Sequence, residues 1–329
     1  MKNLSAEQII NSFTGVKVLV IGDVMVDRYI RGSVERISPE APVPVVRVKG
    51  KDFRLGGAAN VGLNLRALGA IPYVCSVIGK DEGGEEVLVR FREKGLPAEG
   101  LIESSARMTT VKSRVMSGHH HVVRIDEEDD KELAKEECDQ LKSIIEKLLP
   151  QCDVIIFEDY DKGVITPDLI QFVVEKAAEL SIPTIVDPKR RNFYAYKGVT
   201  LFKPNLKELK EGLNRSIDKN NEEEIRQAVT ETIQQLQCEG MLLTLSDAGV
   251  YIDLNEASHF IAAHYRDVAD VSGAGDTVVS VAALCVAKGL PAHRIAALSN
   301  LAGGLVCEHL GVVPVDKDHF IKEASKLIK

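Results

Sequence analysis

The stretch DVADVSGAGDTVVSVAALCVAKGL, residues 267–290, places three small residues and an aspartate directly before an apolar helical run. Gly273, Ala274 and Gly275 let backbone N–H groups come close to an anion, and the dipole of the following helix favours negative charge there. A tight structural turn uses glycine in the same way, so spacing alone leaves both readings open. A dinucleotide fingerprint is a poor match, because Val278 holds the third glycine position of G-x-G-x-x-G and the motif lies near the C-terminus. The phosphate loop G-x-x-x-x-G-K-[ST] is absent. Asp276 decides what such a turn can do. The helix dipole is expected to keep its carboxylate ionised, which makes it a poor phosphate ligand. It is well suited to accept a proton from an attacking hydroxyl while neighbouring N–H groups stabilise a transferring phosphoryl group.

Outward from this helix, short Val- and Ile-rich runs alternate with helical segments: VKVLVIGD, PYVCSVIGKD, DVIIFEDY, PTIVDP, TLFKPN and GMLLTLSD. The alternation predicts an α/β fold, a doubly wound and mainly parallel sheet with helices on both faces, over residues 58–68, 130–149, 168–180, 222–237, 276–288 and 292–309. Each run ends in polar residues, among them Asp23, Asp81, Glu158, Asp187, Asn205 and Thr244. Ligands of open α/β sheets bind beyond the carboxyl ends of the strands, so these residues outline a site. Two segments, about 28–55 and 106–126, read as β pieces without an intervening helix and predict a small β lid over the strand ends, with surface hairpins as the alternative. The acidic run DEEDDKE at 126–132 is expected to start a helix. Residues 1–329 read as a single domain.

Composition narrows the function classes. With 45% hydrophobic residues the chain can build a real core, and no apolar run reaches the roughly 20 residues that span a bilayer. A cytoplasmic protein with no membrane partner is expected; the six scattered cysteines form no C-x-x-C pair, which argues against disulfides and zinc. The net charge of −8 disfavours nucleic acid as a partner. The HHH at 119–121 does not suggest a metal, because successive strand residues point to opposite faces.

GGAANVGLNLRALG at 56–69 and DVSGAGDTV at 270–278 resemble the two motifs of the PfkB, or ribokinase-like, carbohydrate kinase family. PNLKE, LTLSDAGV and SNLAGGLVCEHLG follow in the family's order, so the resemblance covers nearly the whole chain. It implies ATP, Mg²⁺ and phosphorylation of a sugar hydroxyl, with Asp276 as catalytic base and Gly273, Ala274 and Gly275 as the anion hole. It also implies that Asp27, Gly56, Gly57 and Asn60 hold the sugar, with Asp23 in a lesser part or capping a turn. Glycines before the helix at 58 also permit close packing. Asn205 and Glu208 have the spacing of a capping box; the resemblance adds a role near the nucleotide phosphates and Mg²⁺, through water. Thr244, Ser246 and Gly249 are expected on the nucleotide side, and Asn300 at the adenine.

DRYIRGSVERISPEAPVPVVRV, RID at 124–126, DYDKG at 159–163 and DPKR at 187–190 are similar to the kinase part of ADP-heptose synthesis enzymes. Those enzymes phosphorylate D-glycero-D-manno-heptose 7-phosphate at O1. An acceptor that carries a phosphate needs cations, and Arg124 and Lys189 are the expected ones, with Arg114, Lys162 and Arg190 nearby. A nucleotidyltransferase with an H-x-G-H motif follows in bifunctional members and is not found in this chain, so kinase activity alone is expected. Expected partners are the sugar or sugar phosphate, ATP, and a second copy forming a homodimer through the β lid. SGHHH and Glu158 depart from the heptose pattern and leave two alternatives: a kinase for another sugar, or a catalytically silent sugar- or nucleotide-binding module.

Overall fold

The computed structural model describes residues 4–118, 120–263 and 268–327. The chain begins with α1 (Ala6–Asn11), β1 (Lys17–Gly22), β2 (Val24–Ile37), β3 (Pro44–Gly57), α2 (Ala58–Ala67), β4 (Ile71–Gly79), α3 (Glu82–Lys94) and β5 (Leu101–Ser104). It continues through β6 (Thr110–Ser117), β7 (His120–Glu127), α4 (Lys135–Leu148), β8 (Val154–Glu158), α5 (Pro167–Leu180), β9 (Thr184–Asp187), β10 (Leu201–Phe202) and α6 (Leu206–Leu213). The last third holds α7 (Glu222–Leu236), β11 (Gly240–Thr244), β12 (Val250–Leu254), β13 (Ala257–Ile261), α8 (Ala274–Ala287), α9 (Ala292–Val306) and α10 (Lys317–Leu327).

The main sheet runs β13-β12-β11-β10-β9-β8-β1-β4-β5. From β5 to β11 every neighbouring pair is parallel, and β12 and β13 close one edge as an antiparallel hairpin. Both faces are buried, as continuous apolar strands require. Val18, Val20, Val154 and Ile156 point to a core shared with α2, α8 and α9, while Leu19, Ile21, Ile155 and Phe157 point to one shared with α4, α5 and α7. The second sheet, β3-β2-β6-β7, matches the expected lid over slightly longer segments.

The strand order reverses direction at β1, whose neighbours are β4 and β8, and this switch point opens the crevice that holds the site. Gly22, Glu158 and Asp187 stand level across β1, β8 and β9. A Cβ on Gly22 would lie 2.0 Å from the Glu158 carbonyl oxygen, so only glycine lets these strands close at the switch. Helix α8 begins beside the same strand ends and is buried nearly all round, from Asp276 to Cys285. It is pinned to α2 by polar side chains one turn apart: Asn60 donates to Asp276, and Thr277 donates through Oγ1 to Asn64 Oδ1 at 3.0 Å.

Two expectations are corrected. The acidic run at 126–132 does not start a helix: Asp126 and Glu127 pair with Lys112 and Val111 as the end of β7, and α4 begins only at Lys135. Ladder hydrogen bonds outweigh the weak preference of carboxylates for a helix start. The run TLFKPN gives only the two-residue strand β10, because Pro204 has no N–H for the ladder and Asn205 already caps α6.

Candidate active site

Asp276 sits in the first turn of α8, after Gly273, whose φ of 80° is the left-handed conformation that glycine accepts without strain. No side chain caps this end; the Ala274 N–H reaches the Val271 carbonyl at 3.3 Å, and the Gly275 N–H has no partner among the described residues and is available to a ligand. A Cβ on Gly275 would point into the gap between the helix end and the main sheet, 3.5 Å from Asp187 Oδ2 and 3.9 Å from Lys203 Nζ. That gap, with amide protons on one wall and an ammonium on the other, suits a phosphoryl group.

The Asp276 carboxylate is held from two sides. Asn60 Nδ2 donates to Oδ2 at 2.7 Å, and the Tyr160 hydroxyl donates to Oδ1 at 2.8 Å. The expected downward shift of its pKa is corrected: burial raises it, and the Asn60 and Tyr160 hydrogen bonds only partly offset that. Desolvation of a fully buried carboxylate outweighs the helix dipole, and the result is a stronger base.

A charge network lies beneath the turn. Lys203 Nζ is 2.9 Å from Asp187 Oδ2; Lys189 Nζ is 2.6 Å from Glu208 Oε1 and 3.8 Å from Asp187 Oδ1. Burial works against both ammonium groups, but Asp187 and Glu208 together hold each above the ordinary lysine range. Glu158 is buried beside them with neither carboxyl oxygen hydrogen-bonded among the described residues. Its pKa is driven well up by burial, then by Asp187 and Asp276.

A cleft of about 1090 Å³ gathers most of the expected nucleotide residues: Asn205, Thr244, Ser246, Gly249 and Asn300 line it with Lys189 and residues 273–276. Asn205 and Glu208 form the capping box, Asn205 Oδ1 accepting from Glu208 N at 2.9 Å and Glu208 Oε2 from Asn205 N at 2.8 Å. Asn300 donates to the Ala262 carbonyl at 2.9 Å. Gly249, at φ 98°, passes so near Ile261 that a Cβ would lie 2.1 Å from its carbonyl oxygen. Among the described residues no three His, Cys, Asp or Glu side chains converge on a metal position; His119 lies outside them.

The expected sugar residues meet on the other side of Asp276. Asn60 Oδ1 is buried with no partner among the described residues, an acceptor left for a ligand. Asp27 pairs with Arg114 and lies over Gly56, where a Cβ would come within 2.6 Å of its Oδ2. Gly57 has φ 57° and passes against the Asp23 carbonyl. Asp23 caps a turn, accepting from the N–H groups of Tyr160, Lys162 and Val164. Arg124 is exposed on β7 with its Nε and Nη2 donating to Asp126, and Lys189 lines the cleft of the nucleotide residues. The sequence reading did not single out Tyr160, Lys203 or Asn64. Tyr160 had two signals, the polar end of β8 that it follows and its place in the stretch DYDKG.

Residues 16–318 match the model of the pfkB family carbohydrate kinases. The chain belongs to this family. It is 38% identical over 327 residues to the bifunctional protein HldE of Citrifermentans bemidjiense, covering 99% of this chain and 66% of the relative. It is 42% identical over 304 residues to that of Caulobacter vibrioides, covering 91% and 62%. The chain thus spans just under two thirds of the curated relatives it matches. Phosphofructokinase-2 from Escherichia coli in complex with potassium superposes with a TM-score of 0.79 at 18% identity, over 95% of this chain and 99% of the other. Arabidopsis thaliana ribokinase complexed with ribose and ATP gives 0.72 at 15%, over 95% and 99%. The pfkB fold is therefore shared, and the protein is a carbohydrate kinase. No helix of the described residues is long and apolar enough to cross a membrane.

In this pfkB kinase the Tyr160 hydroxyl bonds the Asp276 carboxylate and partly offsets the rise that burial gives its pKa. Tyr160→Phe keeps the ring and removes one hydrogen bond to a charged acceptor, so turnover at neutral pH is expected to fall about tenfold. Because the lost bond had favoured the ionised carboxylate, the acid limb of the kcat profile moves to higher pH. A profile that keeps its position would show that the hydroxyl does not govern the base.

Proposed function

We propose that the chain is an ATP-dependent kinase acting on a sugar phosphate, transferring the γ-phosphoryl group to O1 of D-glycero-D-manno-heptose 7-phosphate. The observation that carries the transfer chemistry is a buried carboxylate, Asp276, in the first turn of an uncapped helix and hydrogen-bonded to residues of two other elements. The heptose reading is supported by the stretches that resemble ADP-heptose enzymes and by the 38% identity to HldE proteins.

Asp276 takes the proton from the acceptor hydroxyl, and Asn60 and Tyr160 fix its direction of approach. The amides of Gly273, Ala274 and Gly275 stabilise charge on the phosphoryl oxygens, and Lys203 faces them across the gap. Asn205, Thr244, Ser246, Gly249 and Asn300 hold the nucleotide. Mg²⁺ would be held by Glu208 and Asn205 through water, the usual preference of an ion that keeps its hydration; when bound it neutralises phosphate charge. Glu208 already bonds Lys189 through Oε1 and the Asn205 N–H through Oε2, which suits contact with the ion through water rather than direct ligation. Gly56, Gly57, Asn60 and Asp27 hold the sugar. Pairing of two copies through the second sheet belongs to the same reading, supported by Ile37, Val48, Val123 and Ile125, all exposed there.

ADP release across a panel of heptose 7-phosphate, fructose 6-phosphate, fructose and ribose is the test. The expected result is a kcat/KM for heptose 7-phosphate at least about a hundredfold above that for the neutral sugars. Equal rates on fructose or ribose would transfer the assignment to another acceptor, and no ADP release with any sugar would leave a binding module.

A further inference from the structure

The second sheet carries, beside the Tyr160 ring, a lysine that forms no ion pair among the described residues. Lys112 lies on β6, in register with Asp27 on β2 and Asp126 on β7. Both potential partners are taken: Asp27 pairs with Arg114, and Asp126 accepts from Arg124 Nε at 2.8 Å and Nη2 at 2.6 Å. Among the described residues the Lys112 ammonium makes no ion pair or hydrogen bond, although the residue is only partly exposed. Its ammonium stands 5.6 Å from the centre of the Tyr160 ring, and the hydroxyl of that ring bonds Asp276.

The same ring has a second lysine beside it, which makes the contrast informative. Lys189 Nζ is 5.1 Å from the ring centre, but it is neutralised by Glu208 and Asp187 and lines the nucleotide cleft. Tyr160 therefore has beside its ring one cation balanced by the protein and one that forms no ion pair among the described residues. Lys112 approaches the ring while the hydroxyl of that ring is given to Asp276, so an acceptor whose reacting hydroxyl is at Asp276 would meet Lys112 with a second group. Burial is the main influence lowering the Lys112 pKa; Asp27 and Glu128 oppose it, while Arg124 and Lys162 add to it, so an anion bound at the ammonium would offset the cost of burial. Lys162 stands 2.9 Å from Glu128.

We propose that Lys112 is the residue that recognises the acceptor's anionic end, a phosphate monoester, and so selects phosphorylated over neutral sugars. This rests on the sugar-kinase reading and adds to it the residue that sets the substrate class. It also moves that role from Arg124 and Lys189, whose charges are already matched, to a side chain whose charge is not.

The test compares the wild-type protein with Lys112→Met, which keeps the length of the side chain, and Lys112→Arg, which keeps the charge. Calorimetric titration with heptose 7-phosphate, and with fructose 6-phosphate as a second probe, reads binding without turnover. Loss of one charge-assisted contact should weaken the sugar phosphate at least about tenfold in Lys112→Met, and Lys112→Arg should recover most of it. In kinetics the effect should fall on the acceptor's KM much more than on kcat, with the KM for ATP unmoved. The preference for phosphorylated over unphosphorylated sugars should shrink by the same factor. Equal affinities in wild type and Lys112→Met overturn the proposal, as does an equal loss for neutral and phosphorylated sugars. If the wild type binds the sugar phosphate through Lys112 but releases no ADP, the kinase reading of this acceptor fails while the subsite stands. If the wild type binds neither sugar phosphate, both fail.

Discussion

Asp276→Asn is expected to lower turnover by a factor on the order of 10²–10⁴, the usual contribution of a positioned general base, while the affinity for ATP stays within about threefold. Asparagine fills the same space and keeps one acceptor oxygen, so either Asn60 or Tyr160 can still bond to it. It cannot take a proton. The pH dependence separates this from a structural effect. Because burial raises the Asp276 pKa, wild-type activity is full above that raised value and falls as pH drops through it. The residual activity of the variant should show no such limb. Steady-state ADP release across the acid range, with nucleotide binding measured separately, checks both parts; near-normal turnover would remove Asp276 from the reaction.

Lys203→Met is expected to destabilise the protein by about 3 kcal/mol, the low end for breaking a buried ion pair from one side. Lys203 and Asp187 are almost wholly buried and 2.9 Å apart, and methionine leaves the carboxylate with only Lys189, at 3.8 Å from its other oxygen. Adding Asp187→Asn should return much of the loss, since the uncompensated charge rather than the missing attraction is the main cost. Urea denaturation of the two single variants and the double variant gives the coupling. A loss below about 1 kcal/mol for Lys203→Met, the range of an exposed pair, would mean that water reaches the site.

Much of the fold could be read from short-range pattern. The polar residues ending each apolar run do lie at the carboxyl ends of the strands, and the Asn205–Glu208 spacing does form a capping box. Gly273 and Asp276 are legible because both act through the helix they begin. What escaped the sequence depends on distances between remote residues. Asp276 meets Asn60 and Tyr160 across separations of 216 and 116 residues, and only the reversal of strand order at β1 brings them together. Lys112 was not among the cations singled out in the sequence; only the register and the ion pairs of Arg114 and Arg124 set it apart. The acidic run at 126–132 misled for the opposite reason: its local preference was read correctly, but pairing with β6 decided the structure.

The long strand β3 passes into α2 without a loop, Gly57 ending one and Ala58 beginning the other, and Asn60 comes two residues after Ala58. A tilt of the second sheet therefore has no slack in which to dissipate before it reaches the amide that grips Asp276. On the proposed function, covering the acceptor and aiming Asp276 would be one mechanical event, so a protein left open should be slow to squander its nucleotide on water.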